Sequence, residues 1–213
     1  MPSSTTSRRA ERKEHEIALR RAHIVEAGAS EFAEKGFHGA QVADIANRAQ
    51  VSLATVYEMF EGKDGLFQAV IQTTATSIRD TVRAKVEAVP EGRERLLVLI
   101  DSLFECFSEN ADLLKIYARG THGLPWRIRQ TMGDSAQAIF ASFTEWVVGL
   151  ARGAADAGHV RVAQPEALAL SLIGAVTTTA AAVVEGTTRE KWDTLAAGVR
   201  DVFERVIEEG GST

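Results

Sequence analysis

Residues 52–63 carry side chains whose types and spacing could contact nucleic acid. Val56 and Phe60, at i and i+4, predict the inward face of a short helix, and Ser52 is a favourable N-cap for it. The side chains expected to look outward or to begin the helix are Ser52, Leu53, Ala54, Thr55 and Tyr57. A hydroxyl can donate to or accept from a base edge, and Leu or Ala can contact a thymine methyl group. These residues are therefore candidates for contacting DNA.

A second short helix precedes this one and is needed to position it. Its apolar face is predicted by the i, i+3, i+4, i+7 spacing of Val42, Ile45, Ala46 and Ala49. Two helices this short bury too little to be stable alone, so a longer helix over about 17–35 is expected to cover them. The pattern indicates a helix-turn-helix whose second helix can enter the major groove.

The stretch 36–66 resembles the DNA-binding domain of TetR-family transcriptional regulators. The resemblance is carried by Gly36, Phe37, Val42, Asp44, Ile45, Ala46, Val51, Ser52, Thr55, Val56, Tyr57, Phe60, Lys63 and Leu66. It implies an N-terminal helix-turn-helix domain followed by a helical domain for effector binding and dimerisation. The apolar periodicity by itself predicts an all-α chain of about nine helices.

Further residues are expected at the DNA backbone. The positions matching Tyr57 and Lys63 hold phosphates in the family, and a lysine opening a helix lies where anions are attracted. Gln41, at the start of the first short helix, is a candidate for a phosphate or base contact. Arg48 is also a candidate, with a purely solvated arginine as the alternative.

Four residues depart from the family pattern. Ala40 stands where a capping Thr or Ser is usual, and Ala54 and Met59 replace a common Gly and a common aromatic residue. Gln50 replaces the usual turn Gly, which predicts a strain of roughly 1 kcal/mol if the turn keeps a left-handed residue. Ala54 and Met59 bear on which operator sequence is preferred.

Charge and composition suggest how the chain is organised. The net charge is −5, yet residues 1–21 hold six basic side chains against three acidic ones, which is expected of a protein with one face toward phosphate. We expect a flexible basic arm over 1–16, the DNA-binding domain over 17–70 and the second domain over 71–213. A single cysteine and no apolar signal segment favour the cytoplasm.

The second domain is expected to be reached by a long helix from Lys63 to about Ala88. A further long helix is predicted from Pro125 to about 157, and Thr187 with Glu190 forms a candidate capping box for the last helix. By the resemblance, the helices over 166–185 and 188–208 form a homodimer. Residues 167–184 lack charge, but their Ala, Gly, Ser and Thr content favours close helix packing over a membrane span.

The family resemblance also implies an effector cavity among the middle helices. Its aromatic candidates are Phe104, Phe107, Tyr117, Trp126, Phe140, Phe143 and Trp146, with His122, Cys106 and Thr177 as polar candidates. The alternative for each aromatic residue is an ordinary core position. Such a lining predicts a small apolar or aromatic effector. The leading interpretation is a ligand-responsive regulator that binds DNA as a homodimer, with repression the commoner outcome in the family.

Two other classes of function are less well supported by the sequence. An enzyme needs convergent titratable groups, but the five histidines have no metal-ligand spacing and no Gly-rich phosphate loop is visible, so no metal, cofactor or catalytic residue is expected. A helical adaptor that binds protein on the same fold remains the alternative to DNA binding. It predicts that changing Tyr57 and Lys63 leaves partner binding intact.

Overall fold

The structure, a computed structural model, describes residues 4–121, 125–160 and 163–208. These residues form ten α-helices and one 3-10 turn, with no β-strand among them, which confirms the all-α class. The elements are α1 (Ser4–Gly39), α2 (Val42–Arg48), α3 (Leu53–Met59), α4 (Gly62–Glu87), α5 (Arg93–Glu109), α6 (Ala111–Thr121), the 3-10 turn (Pro125–Arg127), α7 (Ile128–Met132), α8 (Asp134–Asp156), α9 (Pro165–Val184) and α10 (Trp192–Glu208).

The chain divides into two compact units, Met1–Thr73 and Thr74–Thr213, and the division falls within α4. In the first unit, the rings of Phe32, Phe37 and Phe67 form a cluster with centroids 5.0 to 6.1 Å apart. Gly28 of α1 lets the start of α4 approach closely, because a Cβ there would lie 3.1 Å from Cγ2 of Val70. These contacts join α1 and α4 around the two short helices.

The second unit is built from the end of α4 and helices α5 to α10, with α9 packed against α5, α6, α8 and α10. In the described ranges, α9 is the one helix long and apolar enough to cross a membrane by length and composition. A core helix of a globular protein passes the same test. One face of α9 is buried within the unit, including Leu168, Leu172 and Val176.

Three expectations about helix ends were wrong. Residues 4–16, expected as a flexible arm, continue α1. Their Arg, Lys, Glu and Ala residues have high helix propensity, whereas apolar periodicity marks only helices that pack. The expected long helix after Pro125 is interrupted at Gly133, whose φ of 90° no helix accommodates, and this break brings the count to ten. The capping box does not form, since α10 begins only at Trp192.

Candidate nucleic-acid interface

Helix α3 is held to the first unit by its inward residues. Val56 is 1% exposed and Phe60 is also buried, as their spacing predicted. Ser52 is the N-cap, and its Oγ accepts a hydrogen bond of 3.0 Å from the backbone N–H of Thr55. This cap satisfies one of the free N–H groups at the start of the helix.

The opposite face of α3 makes little contact with the protein. Leu53 and Tyr57 are 43% and 55% exposed, and Ala54 is exposed as well. Thr55 is half-buried, and its Oγ1 lies 2.8 Å from Oγ of Ser52, so the two hydroxyls share a hydrogen bond. The side chains open to a ligand on this face are therefore chiefly Leu53, Ala54 and Tyr57, with the Ser52–Thr55 pair beside them.

The turn between α2 and α3 contains a strained residue. Gln50 has φ of 56°, and among the described residues it is the one non-glycine with a positive φ. The turn is closed by hydrogen bonds from Gln50 N to the Asn47 carbonyl (3.1 Å) and from Val51 N to the Ala46 carbonyl (3.0 Å). The expected left-handed residue is thus confirmed. A side chain in this conformation costs about 1 kcal/mol relative to glycine.

The N-terminus of α2 differs from the expectation. The N-cap is Gln41, which makes no side-chain cap hydrogen bond, while Ala40 is fully buried. Placing the missing cap at Ala40 was therefore wrong by one residue, because a Gly36–Ala40 backbone hydrogen bond of 3.1 Å turns the chain before α2 begins. The exposed Gln41 side chain is available to a ligand next to α2.

Lys63 fastens the connection between α1 and α2 to the start of α4. Its Nζ donates to the carbonyl oxygens of His38 (3.2 Å) and Ala40 (3.0 Å) and lies 4.8 Å from the centre of the Phe37 ring. An ammonium group has three N–H donors, so one remains for another acceptor. The expected phosphate contact and this structural role are compatible.

Arg48 belongs to a charged network between α1 and α2. Its guanidinium donates to both carboxylate oxygens of Glu34 at 3.0 Å and lies 3.9 Å from Glu31. Lys35 contacts Glu31 at 2.7 Å and Asp44 at 2.8 Å. Hydrogen bonding to Asp44, and then to Glu31, raises the pKa of Lys35 to about 12, and the same bond from Lys35 lowers the pKa of Asp44.

The carboxylates around Arg48 make it a poor candidate for a phosphate contact, because its charge is already compensated and its donors are turned toward Glu34. The sequence left a solvated arginine as the alternative to a DNA contact. The network shows a third role, which is to join two helices of the first unit.

Arg21 also positions α3, and the sequence pattern did not identify it. Its Nη1 donates to the Met59 carbonyl at 2.9 Å, and its guanidinium carbon lies 4.3 Å from the centre of the Phe60 ring. The two partners are 38 and 39 positions away in sequence, so no local pattern signals the contact. Arg21 thereby ties the middle of α1 to the end of α3.

The expected effector-site residues are distributed over several helices of the second unit. Phe104 is buried and packs edge-to-face on Trp192, with centroids 5.8 Å apart. Phe143 and Trp146 lie 5.5 Å apart, and Arg83 stacks on Trp146 at 5.1 Å. Half-buried positions are held by Phe107, Tyr117, Phe140 and Thr177. His122 and the side chain of Trp126 lie outside the described residues.

Three of these candidates have properties that limit their roles. The hydroxyl of Thr177 donates to the Ile173 carbonyl at 2.8 Å within its own helix, so it is occupied. Burial raises the pKa of the Tyr117 phenol. Cys106 is buried and its pKa is raised by desolvation, so it is a core residue rather than a reactive thiol. Within the described part of the chain, no three His, Cys, Asp or Glu residues could together hold a metal ion.

Helices α2 and α3, with the turn between them and the exposed face of α3, form a helix-turn-helix. Residues 24–70 match the sequence profile described as bacterial regulatory proteins, tetR family. The likeness to this family is thus shown for the segment that contains the two short helices, and for no larger part of the chain.

A curated relative is similar to part of the chain. The HTH-type transcriptional regulator BetI of Escherichia coli O17:K52:H18 (strain UMN026 / ExPEC) is 32% identical over 90 residues, which are 41% of this chain and 46% of BetI. The chain thus matches about half the length of this curated relative.

Solved structures show the same fold over most of the chain. The transcriptional regulator FadR from Bacillus subtilis, in complex with stearoyl-CoA, has a TM-score of 0.71 at 17% identity and covers 87% of this chain and 98% of its own. A putative regulator from Saccharomonospora viridis, in complex with choline, has a TM-score of 0.73 at 20% identity, with coverage of 89% and 98%. At such identities the likeness shows the fold alone.

Proposed function

We propose that the protein is a homodimeric repressor that binds a palindromic operator through α3 and is released by a small effector. The observation that carries the DNA-binding part is the division of α3 into a buried face, with Val56 and Phe60, and an unpacked face. A helix of seven residues with such an exposed face contributes little to stability, so its role is to present side chains to a ligand. Leu53 and Ala54 then contact base edges, and Tyr57 contacts the backbone.

The dimer is proposed to form through α9 and α10. Leu170 of α9, together with Val202 and Val206 of α10, is about half exposed. Large apolar side chains on adjacent helices are typical of a surface that another subunit covers. Pairing two copies of one surface gives two-fold symmetry, so the two α3 helices would face half-sites about one helical turn apart or a multiple of it.

The effector is proposed to bind among the aromatic residues of the second unit. The proposed lining is supported by the half-buried positions of Phe107, Phe140 and Trp146. Two structural neighbours were solved with a bound ligand, stearoyl-CoA in one and choline in the other, so proteins of this fold do bind ligands. Apolar and aromatic lining favours a small apolar or aromatic effector over a sugar or phosphate. Its binding lowers DNA affinity only if it prefers a conformation in which the two α3 helices are wrongly spaced.

The proposal is tested by selecting from a library of random duplex DNA with the purified protein at two salt concentrations. The expected result is a palindromic sequence with strongly salt-dependent binding, retained by a species of dimer mass in sedimentation. The Tyr57→Phe variant removes one hydroxyl from an exposed side chain. It should weaken binding without changing the selected sequence, because a backbone contact carries no sequence information. Recovery of only unselective binding would favour the protein-binding adaptor instead.

A further inference from the structure

The packed part of the first unit, residues 24–73, contains few basic residues. Residues 24–73 hold seven acidic side chains and three basic ones, Lys35, Arg48 and Lys63. The first two are paired with carboxylates, and Lys63 donates to two backbone carbonyls. Near α3 the exposed charges include those of Glu58 and Glu61, which repel phosphate. Binding to DNA depends on neutralising phosphates with Lys and Arg, so this part of the unit alone is poorly suited to it.

The N-terminal part of α1 has the opposite character. We define the basic face of α1 as Arg8, Arg9, Arg12, Lys13 and Arg20. All five side chains are exposed, and within the described ranges none of them has an ion-pair or hydrogen-bond partner. The other four Arg and Lys residues of the first unit all have partners inside it. The unit's unpaired positive charge is therefore gathered here.

The helical form of this segment makes the charge one-sided. With a rotation of 100° per residue, the five basic residues fall within an arc of about 140° around the helix axis. Of the three acidic residues in this segment, Glu16 lies within the same arc. Glu11 and Glu14 lie on the other side of the helix. Because α1 continues without a break to Lys35, and Arg21 ties it to the end of α3, the basic face is fixed relative to the helix-turn-helix.

We propose that the basic face of α1 binds the phosphate backbone of duplex DNA beside the site contacted by α3. This inference rests on the proposed function and assigns the main electrostatic part of DNA binding to a segment outside residues 24–70. Three reasons favour DNA as the occupant. The charge is complementary to phosphate, the face belongs to the same unit as the exposed face of α3, and that unit otherwise carries excess negative charge.

The test measures the slope of log affinity against log salt concentration, on the duplex selected by the wild-type protein. Arg8→Gln, Arg12→Gln and Lys13→Gln are combined in one variant. If all three side chains neutralise a phosphate, the slope should become shallower by up to about 2.7, since each phosphate contributes about 0.9, with the selected sequence unchanged.

Two control variants separate this effect from net charge and from folding. Arg152→Gln, Arg189→Gln and Lys191→Gln remove the same charge from exposed positions of the second unit, and this variant should keep the wild-type slope. Arg8→Lys with Arg12→Lys keeps the charge on α1 and should keep it too. Circular dichroism spectra of all variants establish that they are folded.

The outcomes distinguish the two proposals. Selective wild-type binding with the same slope in the α1 triple variant overturns the role of the basic face and leaves the proposed function standing. If the slope becomes shallower by the same amount in both triple variants, the role of the basic face is also overturned, because the change would then come from net charge. A wild-type protein that binds no duplex at any salt concentration contradicts both.

Discussion

The two halves of α1 use charged residues in opposite ways. In the packed half, Glu31 is 2% exposed and Lys35 pairs with it and with Asp44, so charge serves to join α1 to α2. In the N-terminal half, five basic residues share one face with Glu16 as the one acidic residue, and their side chains are exposed to solvent. The same residue types therefore stabilise the fold in one place and are available to a ligand in the other. Burial and the presence of a partner separate the two roles.

Replacing a carboxylate in each half should give very different effects on stability. Glu31→Gln removes the buried partner of Lys35 and a neighbour of Arg48, which we expect to lower the free energy of unfolding by about 1–2 kcal/mol. Glu14→Gln, on the exposed half, should change it by less than about 0.5 kcal/mol. Urea unfolding of both variants checks this, and equal effects would remove the distinction between the halves.

Lys63 is proposed to combine the two roles, and its replacement should then show both effects. Lys63→Ala removes two hydrogen bonds to the carbonyls of His38 and Ala40, so the free energy of unfolding should fall by about 1–2 kcal/mol. Its remaining N–H is proposed to contact phosphate, so the salt slope of DNA binding should also become shallower by about 0.9. A decrease in stability with an unchanged slope would leave Lys63 with the structural role alone.

Removing the backbone strain at Gln50 should increase the free energy of unfolding, by less than the preceding substitutions decrease it. Gln50→Gly replaces the left-handed residue at φ of 56° with one that adopts this conformation freely. We expect an increase of up to about 1 kcal/mol in the free energy of unfolding, partly offset by the greater freedom of glycine in the unfolded chain. The midpoint of urea unfolding measures it, and a decrease in stability would mean that the Gln50 side chain makes a compensating contact.

The ion pair between Asp44 and Lys35 should make the free energy of unfolding weakly dependent on pH. Because Lys35 lowers its pKa in the folded state, Asp44 contributes stability above the unfolded-state pKa of about 3.9, and this contribution is lost as the pH falls through the lower folded-state value. The stability difference between the wild type and Asp44→Asn should thus narrow below about pH 4. Urea unfolding of the wild type and the variant at pH 6 and pH 3 measures this difference. If the difference in free energy of unfolding is the same at both pH values, the ionisation of Asp44 does not contribute to stability.

The sequence was informative where local spacing determines structure. The spacing of Val56 and Phe60 predicted their burial, and the departure at Gln50 predicted a strained turn, because both depend on residues a few positions apart. Gly133 was missed because a glycine within an apolar periodic pattern does not by itself show whether the helix continues.

Contacts between distant residues could not be predicted in this way. The carbonyl acceptors of Lys63 depend on the path of the chain between α1 and α2, and the Arg21–Phe60 contact joins residues 39 positions apart. The helical form of residues 4–16 was missed because an exposed helix needs no apolar stripe. Its one-sided charge could be recognised only once the helix was known.

The proposed reading of DNA sequence by the outward face of α3 can be tested by repeating the duplex selection with Leu53→Gln. Leu53 is exposed and contributes little to packing, so stability should stay within about 0.5 kcal/mol of the wild type. We expect a changed preference at one base pair of each half-site, with the rest of the selected sequence retained. An identical selected sequence from the two proteins would contradict it.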